Sequence, residues 1–288
     1  MADRIEVLKT YKTYVNGAFP RSESGRTYRI EDKSGTHIAN ACRCTRKDTR
    51  DSMVAARGAV KGWSSRSAYN RGQILYRIAE MLEGRRAQFM DELMKLGANK
   101  KETKTEVEKS IDRLVYYAGW TDKIAQVFGS VNPVASSHFN FSSPEPTGVV
   151  GIMAPDESPL LGLVTLISPV IAAGNTCVVL SSQTRPLSAV SFGEVLQASD
   201  VPGGVVNILT GYRKEMANAL TSHMDLNAIL NSVDEDVDLR KQTDENASIS
   251  VKRVKHYASS DWVSEKHENP YLMLDFMEIK TTWHPVGA

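Results

Sequence analysis

The rhythm of apolar positions along the chain changes near residue 138. Before that point it is helical. Val54, Ala55, Val60 and Trp63 follow Asp48 and Asp51, acidic residues suited to a first turn, so a helix is expected from about Lys47. Leu75, Ile78, Ala79 and Leu82 continue the spacing in a second helix. A third is expected over about 89–97, with Gly97 suited to its C-cap, and a fourth over roughly 103–127. Residues 13–17 (TYVNG) read as a short strand closed by an Asn-Gly turn. Residues 138–142 (HFNFS) alternate as a strand should, and Pro144 and Pro146 are expected to stop it.

After Gly148 short apolar runs alternate with amphipathic segments. Strands are expected at 149–153, 176–180, 206–209 and 228–230, with helices at 159–173, 187–198 and 214–222 between them. Fully apolar strands separated by helices predict a parallel sheet covered on both faces, a doubly wound α/β unit. Residues 234–269 turn polar and give weak structural signals. At the end, Met277, Ile279, Thr281 and Trp283 alternate with Glu278, Lys280, Thr282 and His284. That pattern predicts a half-buried strand in need of a partner edge, in its own chain or another's.

Composition narrows the options. The sequence has 288 residues, enough for a sizeable core, and Lys+Arg 35 against Asp+Glu 34 leaves a net charge of +1. No global basic field exists to hold nucleic acid or an anionic membrane. Three cysteines argue against a disulfide framework and for a reducing compartment. The opening MADRIEVLKTYK lacks the apolar core of a signal peptide, and the longest apolar stretch, 160–173, is too short for a span and contains Pro169. A soluble, cytoplasmic protein is the expectation.

Few isolated residues suggest chemistry. Cys42 and Cys44 lack a second pair at metal-ligand spacing. Cys177, inside an apolar strand, reads as a buried hydrophobe. His256, His267 and His284 read as surface histidines, and Pro202-Gly203-Gly204 as a tight turn. The run Arg43, Arg46, Lys47 and Arg50 is interrupted by Asp48 and reads as a solvated helix start.

Longer stretches carry more. YVNGAFPRSESGRTYRI and AARGAVKGWSSRSAYNRGQILYRIAEMLEGRR, with Trp63 and Arg71, resemble the opening strand and early helices of the aldehyde dehydrogenase superfamily. TGVVGIMAP, SPLLGLVTLISPVIAAGNTCVVL, RPLSAV and DVPGGVVNILTG resemble its nucleotide-domain text, and FMEIKTTWHPVG its last strand, which crosses to a neighbouring subunit. The resemblance implies a Rossmann-type doubly wound parallel sheet with N-terminal helices and a β oligomerisation arm, the catalytic domain being absent. It divides the chain into a nucleotide-binding-like domain, 1–254, with 134–147 in the arm, and a polar linker plus C-terminal oligomerisation strand, 255–288. The non-catalytic second domain of two-domain aldehyde dehydrogenases is similar.

At functional positions the sequence departs from the family. The family's Trp-Asn pair after proline, whose Asn donates to the oxyanion, is replaced: Pro155 is followed by Asp156 and Glu157. An ionised Glu157 would oppose that intermediate, although a carboxylate at a helix N-terminus is itself stabilised. The Lys-Pro pair and Glu that hold the adenosine ribose are replaced by Leu180, Ser181 and Gln183. The Gly-Ser-Thr segment at the pyrophosphate becomes Asn231-Ser232-Val233-Asp234-Glu235-Asp236, placing three carboxylates where a dianion docks. Val254 leads into Lys255-His256-Tyr257-Ala258-Ser259 and not into the Glu-Leu-Gly-Gly segment of the general base, and no cysteine follows Cys177.

The resemblance therefore implies a non-catalytic subunit without NAD, acting in a homo-oligomer or with a full-length aldehyde dehydrogenase. Removal of a domain is expected to leave an uncovered apolar face. The expected interface comprises His138, Phe139, Asn140, Phe141, Met277, Glu278, Ile279, Lys280, Thr281 and Trp283. The alternatives are an NAD(P)-dependent aldehyde oxidoreductase and a dinucleotide-sensing module.

Overall fold

Three strands that the apolar rhythm does not announce come first. The structure, a computed structural model, describes residues 7–233 and 236–287. In it β1 (Thr10–Tyr11), β2 (Thr27–Glu31) and β3 (His37–Cys42) form a sheet of order β1-β3-β2. The expected strand at 13–17 is a tight hairpin instead. Asn16 (φ 52°) and Gly17 (φ 74°) both take the left-handed conformation of a primed turn, and Tyr14 makes one antiparallel bridge to Ile208.

The helices follow their start and stop signals. In α1 (Arg46–Ser64) Thr45 and Asp48 form a capping box, as Asn99 and Glu102 do for α4 (Lys100–Ala118). Between them lie α2 (Ala68–Glu83) and α3 (Arg86–Lys95), after which Gly97 takes φ 92°. The expected fourth helix does not reach residue 127 unbroken. It ends at Gly119, and a turn precedes the short α5 (Ile124–Phe128).

The second half is the doubly wound unit. Strands β6 (Val149–Met153), β7 (Thr176–Leu180), β8 (Val206–Leu209), β9 (Ala228–Asn231) and β10 (Arg253–His256) are parallel, in the order β10-β9-β6-β7-β8. Helices α6 (Leu161–Ala172), α7 (Leu187–Gln197), α8 (Arg213–Thr221) and α9 (Val237–Ser248) connect them. Every residue of β6 and β7 is buried. Their alternation survives as a division between two cores: Cys177 and Val179 pack with α2, α4, α6 and α7, while Val178 and Leu180 pack with α1, α8 and α9. Chain order reverses between β6 and β9, which opens a crevice at their C-terminal ends.

Two expectations for the C-terminal part need correction. Residues 236–269, polar and with weak structural signals, contain α9 and β10, and the segment beyond β10, expected to open a polar linker over 255–288, is a strap packed on α4 and α6. It carries a 3-10 turn, Glu265–His267, and α10 (Tyr271–Leu274). Trp262, Leu272, Met273 and Phe276 are buried in the same core as α6, so the strap covers part of that helix. His267, read as a surface residue, is 1% exposed.

The arm is built from β4 (Ser130–Asn132), β5 (His138–Pro146) and β11 (Met277–Pro285), antiparallel in the order β11-β5-β4. Strand β11 pairs with the chain's own β5 along its full length, and only Met277 is buried, so it is not half-buried as its alternation suggested. Nor does β5 stop at Pro144. The Thr147 N–H donates to Phe276 O, so the nitrogens of Pro144 and Pro146, of opposite parity, face away from β11, on the side where β4 has already ended. No helix among the described residues is long and apolar enough to cross a membrane.

Candidate functional site

The crevice at the C-terminal ends of β6 and β9 holds a cavity of about 490 Å³. Its walls are Pro155, Asp156 and Glu157 after β6, Ser232 and Val233 after β9, Arg213 at the start of α8, and Ala258, Ser259 and Ser260 of the strap. Sheet and helices deliver these side chains to one place because all follow the same end of parallel strands.

Asp156 and Arg213 dominate the crevice. Arg213 Nη1 donates to Asp156 Oδ2 at 2.5 Å, and Nη2 to the Ala154 carbonyl at 2.6 Å. Asp156 Oδ1 also accepts from Ser182 Oγ at 2.5 Å, Gln183 N at 3.0 Å and Thr184 Oγ1 at 3.2 Å. Gln183 Oε1 in turn accepts from Arg213 N at 3.2 Å. Burial alone would raise the Asp156 carboxyl; the Arg213 hydrogen bond and charge outweigh it and hold the group below its usual range. Arg213 is 8% exposed and Asp156 half-buried, so the pair is a partly buried ionic tie across the ends of β6, β7 and β8.

Each expected position can now be placed. Pro155 packs against Gly162, where an added Cβ would stand 2.4 Å from Pro155 Cγ. Glu157 is exposed and does not serve the N-terminus of α6. That place is taken by Glu106 of α4, whose Oε1 accepts from Leu160 N at 2.9 Å and Leu161 N at 3.2 Å. Leu180 is fully buried between β7 and the α1–α8 layer. Ser232 is buried with no partner for its hydroxyl, and Gln183 is committed to Arg213. Asp234 and Glu235 lie outside the described residues. Asp236 caps α9, its carboxylate accepting from Leu239 N at 3.0 Å.

Sequence reading missed Arg213, Ser182 and Glu106. The helix start was expected at Lys214, one residue late, which left Arg213 in a loop; an arginine in a first turn carries no signal of a partner at position 156. The cysteines, by contrast, behave as expected. All three are buried, and burial raises the Cys44 and Cys177 thiols far above the thiolate range. The basic run is largely neutralised: Arg43 pairs with Glu215, Lys47 with Glu23 at 2.9 Å, and Arg50 with Asp51 at 2.9 Å. Pro202-Gly203-Gly204 is a turn closed by Val205 N to Pro202 O, with Gly204 at φ 85°.

On the arm, the rings of Phe139 and Phe141 meet at a tilt, 5.6 Å between centroids, and His138 meets Trp283 at 5.8 Å. Ile279 is 54% and Trp283 57% exposed. Thr281 Oγ1 is bonded to Ser142, and Lys280 pairs with Glu145. Glu278 pairs with Arg253 of the sheet edge. Asn140 and Met277 are buried within the chain.

Comparison with known proteins gives a consistent answer. The profile of the aldehyde dehydrogenase family matches residues 19–242. Over 228 residues the chain is 34% identical to 2-hydroxymuconic semialdehyde dehydrogenase of Pseudomonas sp. (strain CF600), covering 77% of this chain and 47% of that protein. Retinal dehydrogenase 2 of Gallus gallus is 33% identical over 231 residues, covering 77% and 43%. Among solved structures, PnpE in complex with nicotinamide adenine dinucleotide superposes with a TM-score of 0.81 at 26% identity, covering 86% of this chain and 50% of that one. The NAD+ complex of the Bacillus cereus aldehyde dehydrogenase gives 0.81 at 24%, covering 85% and 50%. The chain thus spans about half the length of the curated relatives it matches. With most of its sequence inside the family profile, the chain belongs to the aldehyde dehydrogenase family.

Proposed function

We propose that this chain is a non-catalytic member of the family that acts in assembly and has lost nicotinamide dinucleotide binding. The observation that carries the proposal is the Arg213–Asp156 tie. A dinucleotide lies across the strand ends at the switch point of such a sheet, with its pyrophosphate at a helix N-terminus. The residues present do not fit that group. Arg213 is spent on an internal carboxylate, Leu180 has no donor for a ribose hydroxyl, and the Asp236 carboxylate occupies the first turn of α9, where a phosphate would meet like charge. All three cysteines in this sequence are buried, and burial raises the Cys44 and Cys177 thiols, which disfavours attack on an aldehyde.

The arm supports the assembly role. One edge of β11 pairs with β5 and the other is open, and Ile279 and Trp283 stand exposed along it. An open edge with apolar side chains adds readily to a partner's sheet, in a homo-oligomer or with a full-length aldehyde dehydrogenase.

Calorimetric titration of the chain with NAD and NADP tests the first half of the proposal; no binding heat is expected, and micromolar affinity overturns it in favour of a dinucleotide sensor. An aldehyde-dependent rise in NADH absorbance would favour an NAD(P)-dependent aldehyde oxidoreductase. Native mass spectrometry of Ile279→Lys/Trp283→Glu tests the second half. Smaller species than wild type are expected, and unchanged assembly removes the arm from the role.

A further inference from the structure

The strap is read by α4 almost entirely through main-chain oxygens. Tyr117 OH donates to His267 O at 2.9 Å and Asn269 O at 3.2 Å. Arg113 Nη2 reaches Trp262 O at 3.5 Å and Ser264 O at 3.4 Å, and Arg113 Nε stands 3.9 Å from Glu268 Oε1. At the centre lies His267, 1% exposed, stacked on Trp262 at 5.1 Å between centroids and 20° between planes. Its Nε2 is 2.9 Å from Asp261 O and 3.0 Å from Ser259 Oγ; its Nδ1 is 2.8 Å from Tyr257 OH. A carbonyl can only accept, so Nε2 carries the proton and Nδ1 accepts from Tyr257. The neutral ring is thus fully satisfied.

A second proton has no good place. It would bring a cation beside Arg113, whose Nε and Nη1 already lack hydrogen-bond partners although the side chain is fully buried. The charged and titratable groups around the ring are Arg113 and Tyr117 from α4, and Tyr257, Asp261, Lys266 and Glu268 from the strap. Helix α6 contributes none. Glu268 is the nearest counter-charge to Arg113 and does not bond the imidazole.

The geometry points to an acid-released strap: protonation of His267 detaches residues 258–269 from α4, opens the crevice whose wall is Ala258, Ser259 and Ser260, and uncovers the α6 surface under Trp262. Burial and the neighbouring cations lower the His267 imidazole from its ordinary 6.5, in keeping with a neutral ring in the closed state. The sign follows. A depressed histidine adds stability above its free value and loses it as pH falls, so the strap is closed at neutral pH and opens in mild acid. This reading does not depend on whether the crevice binds a nucleotide.

Hydrogen exchange by mass spectrometry on the full chain between pH 7.5 and 5 tests it, with rates corrected for intrinsic pH dependence. Protection in residues 258–269 is expected to fall by at most ~30-fold at pH 5, the ceiling set by a free imidazole of ordinary pKa, while β6 and β7 keep theirs. NMR of the unaltered chain should find the His267 imidazole neutral at pH 7.5 and titrating below its ordinary 6.5, while strap protection starts to fall as pH drops past that ordinary value. His267→Gln should abolish the pH response and Glu268→Gln should retain it. Constant strap protection, a His267 imidazole that titrates at or above its ordinary 6.5, or loss of the response in Glu268→Gln each overturns the proposal.

Discussion

Glu106 and Leu160 meet across two helices. The carboxylate of Glu106, in the middle of α4, accepts from the Leu160 and Leu161 N–H groups at 2.9 and 3.2 Å and closes the N-terminus of α6. Helix α6 is apolar on all sides and has no capping side chain of its own, so its first N–H groups need an acceptor from elsewhere. Burial raises the Glu106 carboxyl and the two N–H groups oppose the rise. Glu106→Ala should lower stability by about 1–3 kcal/mol, the cost of unsatisfied buried donors. Glu106→Gln keeps an acceptor and should cost less. A carboxyl raised in the fold favours stability at low pH and loses that share as pH rises past its ordinary value, so Glu106→Gln should gain on wild type with rising pH. Thermal unfolding across pH 4 to 8 checks both the ranking and the slope.

The tie between Arg213 and Asp156 makes a sharper prediction. Asp156→Ala strands a guanidinium that is 8% exposed, and denaturant unfolding should show a loss of about 3 kcal/mol. Adding Arg213→Met should recover much of it, because the pair is then removed together. A double variant as unstable as the single one would mean that the tie is not the source of the loss. Wild type should also lose stability as pH falls through the depressed carboxyl of Asp156, being most stable in this respect above the ordinary carboxylate range.

Gly162 sits in the first turn of α6 with Pro155 against it. Alanine is the better helix former, by up to about 1 kcal/mol. Here, however, its Cβ would stand 2.4 Å from a rigid proline ring, and overpacking costs about 1–3 kcal/mol. Gly162→Ala should therefore lower the melting temperature. A rise would show that the turn after β6 yields easily.

Cysteine accessibility separates a pseudoenzyme from a thiol enzyme. Cys42, Cys44 and Cys177 are 1%, 0% and 0% exposed. Thiol titration of the native chain with a disulfide reagent should be slow, at the rate of unfolding, and complete only in denaturant. One rapidly labelled thiol would count against the proposed lack of catalysis.

What could be read without coordinates was what leaves a local periodic trace. Strands β6, β7 and β8 match their expected bounds because a strand buried on both faces is an unbroken apolar run, and the flanking helices repeat at their own period. The alternation of apolar strands with helices made a parallel sheet an expectation before it was an observation. Strand β2 is a brief alternation, Tyr28 and Ile30 buried between exposed Thr27, Arg29 and Glu31, that does not stand out from the polar text around it. HIANAC in β3 lacks even that rhythm, and whether Ala41 is buried depends on what lies over it. The strap was illegible for the same reason, since Trp262, His267 and Phe276 are single anchors spaced without period in polar text.

The site divides likewise. Replacement of Leu180, Glu157 and the residues after Asn231 could be seen residue by residue against the family pattern. That Asp156 would be tied by Arg213, 57 residues further on, could not, because an ion pair between distant segments has no periodicity and either residue alone is ordinary on a surface. The sequence by itself determined the layers, through local hydrophobic rhythm. Only the tertiary structure decided which polar groups share the crevice and that the C-terminal segment folds back as a strap, since buried polar groups are settled by partners brought together from afar.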